Sequence, residues 1–460
     1  MQKQPRDPQA LADQASPRAV HAMITRWRVR GIAAFCAIMV VGALIGLLFF
    51  LRPTTSAVEM RNLTKFPEFT VESFLNGEYF TQVSLWYADT YPLREPMVAA
   101  DHAVDGLFGI STGTGMIGGN VKADEIPTAD GGQENRNLPS GDVLLLDIPQ
   151  LVEAPDERVV TEDIQKNIMS GVYITNGAGF SIYYFSQYAA DTYVKALNTA
   201  ADRLEGVATV YSVMAPANSI TLSDEQALAL GGTDQQQALD YLSSRYDKRV
   251  KAVDLVDTIK AHRDEYLYFR TDHHWTQLGA YYGYVEFCKA KGITPKPWSG
   301  WNEVDLGEFR GTYYDSIEEM GPVATDDIVA RVPNGTNEMT YWNDDGEQLA
   351  GKVVNEEAAS WEAPYKYSAY ILGDQPLEII HNPQLRDGSS CLVVKDSYGC
   401  AFVPQLVDHY ETVHVIDFRK TDENLVDYVK ANGVQDVIFM TGMKIGLTDS
   451  VAQMLLSEVS

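Results

Sequence analysis

Twenty-one consecutive residues, Gly31 to Leu51, carry no charged or strongly polar side chain. Wound as a helix, such a run crosses the roughly 30 Å hydrocarbon core of a bilayer. Arg26, Arg28 and Arg30 flank it on the N-terminal side and place the N-terminus in the cytoplasm. A cleaved signal peptide has a shorter apolar region and a small-residue cleavage site, which Ser56-Ala57 matches poorly. The expectation is a retained transmembrane signal anchor over 31–51, a cytoplasmic tail over 1–30 and an extracytoplasmic remainder over 52–460 at the cell membrane. Subtracting the +4 of residues 1–30 from the chain's −27 leaves −31 for that remainder. Nucleic-acid binding asks for basic patches, so no nucleic-acid partner is expected.

The remainder divides by pattern. Residues 52–110 are rich in aromatics, in FPEFT, FLNGEYF and WYADTYPLR. They read as a helical region packing on the main domain, with Phe74, Phe80, Trp86 and Tyr87 lining it. Arg94 is a charged residue there with the reach to enter a pocket. Residues 111–141 are dominated by Gly, Thr, Asn, Asp and Pro and read as a flexible loop with no phosphate-binding glycine pattern. From 142 to 460 short apolar runs alternate with helical periodicity, the pattern of a mostly parallel sheet covered by helices. The expected strands are Val143–Leu146, Val172–Ile174, Ile182–Phe185, Ala208–Met214, Tyr266–Phe269, Leu392–Val394, His414–Ile416 and Val437–Met440. The expected helices are Ala189–Arg203, Asp224–Leu230, Gln235–Tyr246, Thr276–Ala290, Cys400–His409, Thr421–Asn432 and Thr448–Glu458. Residues 296–365 look like an insertion, with aromatics that suit either burial or sugar stacking. Four cysteines are too few for a disulfide framework. A Cys391–Cys400 bridge and free buried thiols both remain open.

Two stretches carry chemistry. In the first, Tyr266–Tyr284, the expected strand runs into Asp272, His273, His274 and Trp275 and then into a helix whose apolar positions are Leu278, Tyr281, Tyr282, Val285 and Cys288. In the second, the apolar Leu392–Val394 runs into Asp396, Ser397 and Tyr398 and then into a helix. A serine at a strand–turn–helix corner is exposed over the sheet, and backbone N–H groups lie close to where an oxyanion would form. Its hydroxyl needs a base held by a third group. Asp272 and His274, two residues apart, supply both. Each signal also has an ordinary reading: Asp396 or Ser397 as a helix cap, and His273 as a structural neighbour or a hydrogen-bonding partner to substrate. Asp-His-His also resembles the DHH phosphoesterases, but no D-x-D follows an early strand. No metal and no cofactor is expected.

The run YFRTDHHWTQLGAYYGY closely resembles the signature of the DHHW proteins. These are related to the alginate O-acetylation proteins of AlgX/AlgJ type, whose catalytic domain is similar to SGNH hydrolases. RNLTKFPEFT, NGEYF, WYADTYPLRE, APANSI, VVKDSYGCAFVPQL and VIDFR also fit, so the resemblance spans most of residues 58–440. It implies an SGNH hydrolase-like three-layer α/β/α domain behind one N-terminal transmembrane helix, with Ser397, His274 and Asp272 as the triad. Tyr398 and Arg419 are expected near the substrate or acyl group. The Ser397 N–H is expected as an oxyanion donor, and Asn218 is a candidate for the same role; His273 and Trp275 complete the expected substrate-binding set. The activity implied is an O-acetyltransferase acting on an exopolysaccharide or cell-wall glycan, beside a multi-pass membrane acyltransferase that supplies the acetyl group. SGNH enzymes open on a GDS block where this chain has KDS, with Asp-x-His preceding the serine, a departure that weighs against simple esterase behaviour. Two alternatives stand beside the transferase: with water as acceptor the same triad is a carbohydrate O-acetylesterase, and with the fold as a scaffold the chain is a non-catalytic glycan-binding or assembly protein.

Overall fold

The computed structural model describes residues 157–460 without a break. Before them it describes residues 30, 33, 52, 55–56, 61–62, 65–67, 69–70, 73–74, 78–92, 114–118, 121–127 and 155. The chain forms two compact units, Met1–Gly109 and Ile110–Ser460. The expected anchor over 31–51, apart from residue 33, the expected strand Val143–Leu146 and Arg94 lie outside the described residues. Among the described residues no helix is long and apolar enough to cross a membrane.

In the first unit, β1 (Thr55–Ser56) pairs antiparallel with β2 (Arg61–Asn62). The helix Glu78–Asp89 follows. Arg52 stacks its guanidinium 3.8 Å above the Trp86 ring and donates to Thr90 Oγ1 at 2.6 Å. Trp86 is buried, and Phe74 and Phe80 are exposed, with ring centroids 5.1 Å apart.

The second unit begins with an antiparallel meander of β3 (Gly115–Ile117), β4 (Val172–Thr175) and β5 (Ala178–Ser181). β3 is thus a strand within the stretch read as a loop. Asn176 and Gly177 join β4 to β5 with φ of 52° and 74°, the backbone of a tight two-residue hairpin. That turn sends the chain back at once, so the strand expected at Ile182–Phe185 falls instead at Ala178–Ser181.

The main sheet holds eight strands. Five run parallel: β6 (Thr209–Ala215) and β7 (Val250–Val253), then β13 (Ser390–Lys395), β14 (Thr412–Asp417) and β15 (Asp436–Gly442). β8 (Asn302–Phe309) and β9 (Asp326–Val332) form a separate antiparallel pair. β10 (Glu338–Trp342), β11 (Gln348–Lys352) and β12 (Leu377–His381) extend the main sheet beyond β14 by antiparallel pairing. The sheet is therefore mixed, and the expected insertion divides between the separate β8–β9 pair and two strands, β10 and β11, of the antiparallel flank. Trp301 and Tyr313 of that region are buried in the core.

Burial explains the parallel centre: β13 and β15 are buried at every residue, the mark of strands covered on both faces. Tyr211 on β6 meets Phe287 of the helix Gln277–Lys291 at 5.1 Å. The next residue, Ser212, faces the opposite way. Thr441 pairs with Met214, shares that second face and meets Tyr193 of the helix Gln187–Arg203 at 3.4 Å. Helices therefore lie against both faces of a mixed α/β fold.

Candidate active site

The parallel strand β13 ends at Lys395, and Asp396 closes the turn that follows. Its Oδ1 accepts from the Tyr398 N–H at 3.0 Å and its Oδ2 from the Gly442 N–H at 2.8 Å. One carboxyl group so ties the turn to the end of β15. Gly442 permits this approach, since a Cβ there would sit 2.3 Å from the Tyr398 ring. Burial pushes the Asp396 carboxyl up to about 7, against the opposing charge of Arg419. Ser397 stands half-buried on the turn, and its N–H makes no hydrogen bond among the described residues. The helix expected at Cys400–His409 is Gly399–Phe402, continuing as the 3-10 turn Val403–Leu406. Pro404 has no N–H to extend the α-helical ladder.

The histidines sit on a loop. The residues Tyr266–Phe269 form no sheet strand; the chain folds back on itself through a lone bridge between Tyr268 and Trp275. A four-residue apolar run satisfies a buried loop as well as a strand. Asp326 pins the loop, accepting from the Arg270 N–H at 2.8 Å and the Thr271 N–H at 2.7 Å. Trp275, fully buried, donates its Nε1–H to the Tyr398 carbonyl at 3.0 Å, and Tyr398 donates its hydroxyl to the His273 carbonyl at 2.6 Å. Loop and serine turn are therefore stitched together in both directions.

That stitching brings three expected residues into line. Ser397 Oγ lies 2.7 Å from His274 Nε2, and His274 Nδ1 lies 2.6 Å from Asp272 Oδ1. An ionised carboxylate only accepts, so Nδ1 carries the imidazole proton and Nε2 faces the serine as acceptor. Asp272 Oδ1 also accepts from the His274 backbone N–H at 2.8 Å. Its Oδ2 accepts from the N–H and the hydroxyl of Thr312 at 2.8 and 2.7 Å. Burial alone would raise the Asp272 carboxyl. The adjoining imidazoles of His273 and His274 and the hydrogen bonds from His274 and Thr312 outweigh it and hold the group well below the usual carboxylate range.

The remaining expected residues are placed differently. His273 is buried, its Nδ1 is 3.3 Å from Thr312 Oγ1, and its Nε2 has no partner among the described residues. Burial, then the neighbouring His274, pushes it down to about 3, so it is neutral. Asn218 spends its carboxamide on backbone: it accepts from the Ser181 N–H and donates to the carbonyls of Gly179 and Asp272. Arg419 grips Asp417 through two nitrogens and reaches Asp374 at 2.9 Å. Asn218, Trp275 and Tyr398 thus have their side-chain polar atoms engaged within the protein, and Arg419 has its Nε and Nη2 so engaged. Cys391 and Cys400 are free and buried.

Sequence reasoning missed Thr312, whose approach from forty residues away leaves no local signal. It also missed Tyr367, whose ring stacks on His274 at 4.1 Å and 15° and whose hydroxyl donates to the Ser397 carbonyl at 3.1 Å. Lys395 was visible as a lone charge ending an apolar strand. Its Nζ is fully buried against Asp374 Oδ1 at 2.7 Å and the Gly373 carbonyl at 3.1 Å. Asp272, His273 and His274 present donor atoms within 4.8 Å of one another, close enough to hold a metal ion. The Asp272–His274 contact of 2.6 Å is a hydrogen bond, and an ion would have to part that pair.

The sequence matches the family described as DHHW protein over residues 59–138 and 154–416. Among solved structures, a DHHW family protein from Eubacterium siraeum is 25% identical, with a TM-score of 0.54 over 62% of this chain and 93% of that one. Bacillus cereus PatB1, solved with a sulfonyl adduct, is 20% identical, with a TM-score of 0.51 over 59% of this chain and 94% of that one. The O-acetyltransferase domain of Pseudomonas putida AlgJ matches more loosely, at 13% identity and a TM-score of 0.32 over 59% of this chain and 90% of that one. No curated protein matches the sequence.

Proposed function

The chain belongs to the DHHW protein family, and from that premise we propose that it is an SGNH hydrolase-like O-acetyltransferase, anchored through residues 31–51 with residues 52–460 outside the cytoplasm. Its acceptor is a hydroxyl of an exopolysaccharide or cell-wall glycan. The observation that carries the reading is the continuous line from Ser397 Oγ through His274 to Asp272, with contacts of 2.7 and 2.6 Å. That line is the arrangement by which a hydroxyl is activated and an imidazole is kept in one tautomer.

In the first half-reaction, Ser397 Oγ forms a bond to the acetyl carbonyl carbon while its proton passes to His274 Nε2. The tetrahedral oxyanion gathers beside the Ser397 N–H. The donor's leaving oxygen takes the proton from His274 as its bond to carbon breaks, leaving acetyl-Ser397. In the second, a sugar hydroxyl attacks that carbonyl and gives its proton to His274. Ser397 Oγ leaves and recovers the proton. Asp272 stays ionised throughout and stabilises the imidazolium formed in each half. A donor presented at the membrane surface fits a multi-pass acyltransferase as the supplier, and the proposed anchor keeps the two proteins together.

The test is intact-mass spectrometry of the full-length, detergent-solubilised chain after brief exposure to an activated acetyl ester, with and without glycan oligosaccharides. Wild type is expected to gain one acetyl group, absent from Ser397→Ala, and to discharge it onto the oligosaccharide. Loss of the adduct to water at the same rate with or without glycan would make the protein an esterase. A folded wild type with no serine-dependent adduct would move the reading to a glycan-binding protein.

A further inference from the structure

We propose that Tyr367 is a positioning residue that fixes the His274 imidazole, an inference that rests on the Ser397–His274–Asp272 reading above. Tyr367 touches both partners of the proton transfer, through its ring on His274 and its hydroxyl on the Ser397 carbonyl. With Asp272 at one edge of the imidazole and Ser397 at the other, the remaining freedom is tilting out of plane. The nearly parallel Tyr367 ring closes one face against it. When His274 takes the serine proton, the same ring presents its electron-rich face to a cation.

The segment carrying Tyr367 is tied down at several points. Tyr367 lies on the 3-10 turn Ala363–Ala369. Past Tyr370 the backbone runs through Ile371 and Leu372 with φ of 46° and 59°. Two successive left-handed residues without glycine, one of them β-branched, persist only where their surroundings over-determine them. Here the Ile371 N–H donates to the Val353 carbonyl at 2.8 Å, and Lys395 grips both the Gly373 carbonyl and Asp374. Arg419 takes the other Asp374 oxygen at 2.9 Å. Lys395 immediately precedes Asp396 and Ser397. One buried ammonium therefore sets the height of the serine turn and of the segment above it, and Tyr367 is carried at a fixed distance from both.

The experiment compares wild type, Tyr367→Phe, Tyr367→Leu and Tyr367→Met in the full-length chain. Two readouts are taken: the rate of Ser397 acetylation by the activated ester, and the far-downfield proton NMR signal of the His274 Nδ1–H. Phenylalanine keeps the ring, so its rate should stay within about threefold of wild type with the NMR signal intact. Leucine removes the ring face and should slow acetylation by about tenfold or more, with the signal broadened or lost. Methionine fills the volume without a ring and should behave like leucine, which keeps the test open if the leucine chain does not fold. Acetylation at the wild-type rate with a sharp signal in the leucine or methionine variant would overturn the proposal, as would a phenylalanine variant as impaired as those two. If wild type gives no Ser397-dependent adduct, the transfer reading fails. The NMR signal still decides whether Tyr367 holds His274.

Discussion

At the scale of single residues, the site sorts three buried titratable groups in different directions. Asp272 is held ionised because the adjoining imidazoles of His273 and His274, and then the donors of His274 and Thr312, outweigh its burial. His273 is held neutral because burial outweighs the carboxylate beside it. Asp396 has only two backbone N–H groups and a distant Arg419 to set against complete burial, so it titrates near 7. An unfolded aspartate titrates at about 3.9. A folded pKa above the unfolded one means that the native state binds the extra proton. The stabilisation from Asp396 is then complete below about pH 3.9 and lost as pH rises through about 7. His273 works the other way, costing stability as pH falls below about 6.5, so the Asp396 effect must be read as a difference. We expect wild type to lose stability relative to Asp396→Asn between about pH 5 and pH 8. The lost acceptor of the asparagine offsets the two curves by a constant. Thermal unfolding of both proteins across that range checks it; parallel curves would mean that Asp396 does not titrate there. The D-x-H spacing and the D-S turn were legible because each is a local contact. The directions of these shifts were not, because they depend on Thr312, Arg419 and Gly442, which arrive from elsewhere in the chain.

At the scale of elements, sequence periodicity placed the helix Gln277–Lys291 within one residue at each end. Its cap chemistry is local too: Thr276 accepts from the Gly279 N–H, and Gly292 closes the helix at φ 80°. What periodicity did not explain is why this helix spends two interior positions on glycine, each costing about 1 kcal/mol of helix propensity against alanine. The structure explains both. Gly279 and Gly283 face the loop that precedes the helix. A Cβ on Gly279 would lie 2.3 Å from the Leu267 carbonyl oxygen and 3.0 Å from Trp275 Cβ, and one on Gly283 would lie 3.2 Å from the Trp275 ring. The glycines let Trp275 sit deep enough to reach the Tyr398 carbonyl, and so bring His274 to Ser397. Gly279→Ala should therefore lower stability by about 1–3 kcal/mol despite its better helix propensity. Gly283→Ala meets only the rim of a ring and should be milder. Urea unfolding gives the order, and serine acetylation should fall further in the first variant than in the second. A stabilised Gly279→Ala would show that the loop has room to shift. The strand expected at Tyr266–Phe269 belongs to the same lesson: four apolar residues predicted burial correctly and geometry wrongly, because the loop that carries His274 is itself core.

At the scale of the whole molecule, the two halves of the sheet meet where antiparallel β12 joins parallel β14, and there the fold buries charge. Lys395, Asp417 and Glu378 are all inaccessible to solvent, and Arg419 and Asp374 close the group. The parallel half was legible from continuous apolar runs. The antiparallel flank was not, since β10 (EMTYW) and the edge strand β11 (QLAGK) are five-residue stretches of mixed polarity with no continuous apolar run. The charges across the junction balance without Glu378: two cations, Lys395 and Arg419, face two carboxylates, Asp374 and Asp417. A third carboxylate would be unpaired, and neither Glu378 oxygen has a hydrogen-bond partner among the described residues. Burial accordingly pushes Glu378 well above the usual carboxylate range, so it is protonated and neutral. Its replacement should be cheap. Glu378→Gln is expected to leave stability within about 1 kcal/mol, and Glu378→Met to raise it, because an unsatisfied polar group gives way to an apolar one. Asp374→Asn keeps the shape but strands a buried cation, and should cost about 3 kcal/mol or more. Denaturant unfolding at neutral pH separates the cases. Equal damage from Glu378→Gln and Asp374→Asn would mean that Glu378 is ionised and a full member of the network, and the junction would then carry a net negative charge beneath the serine turn.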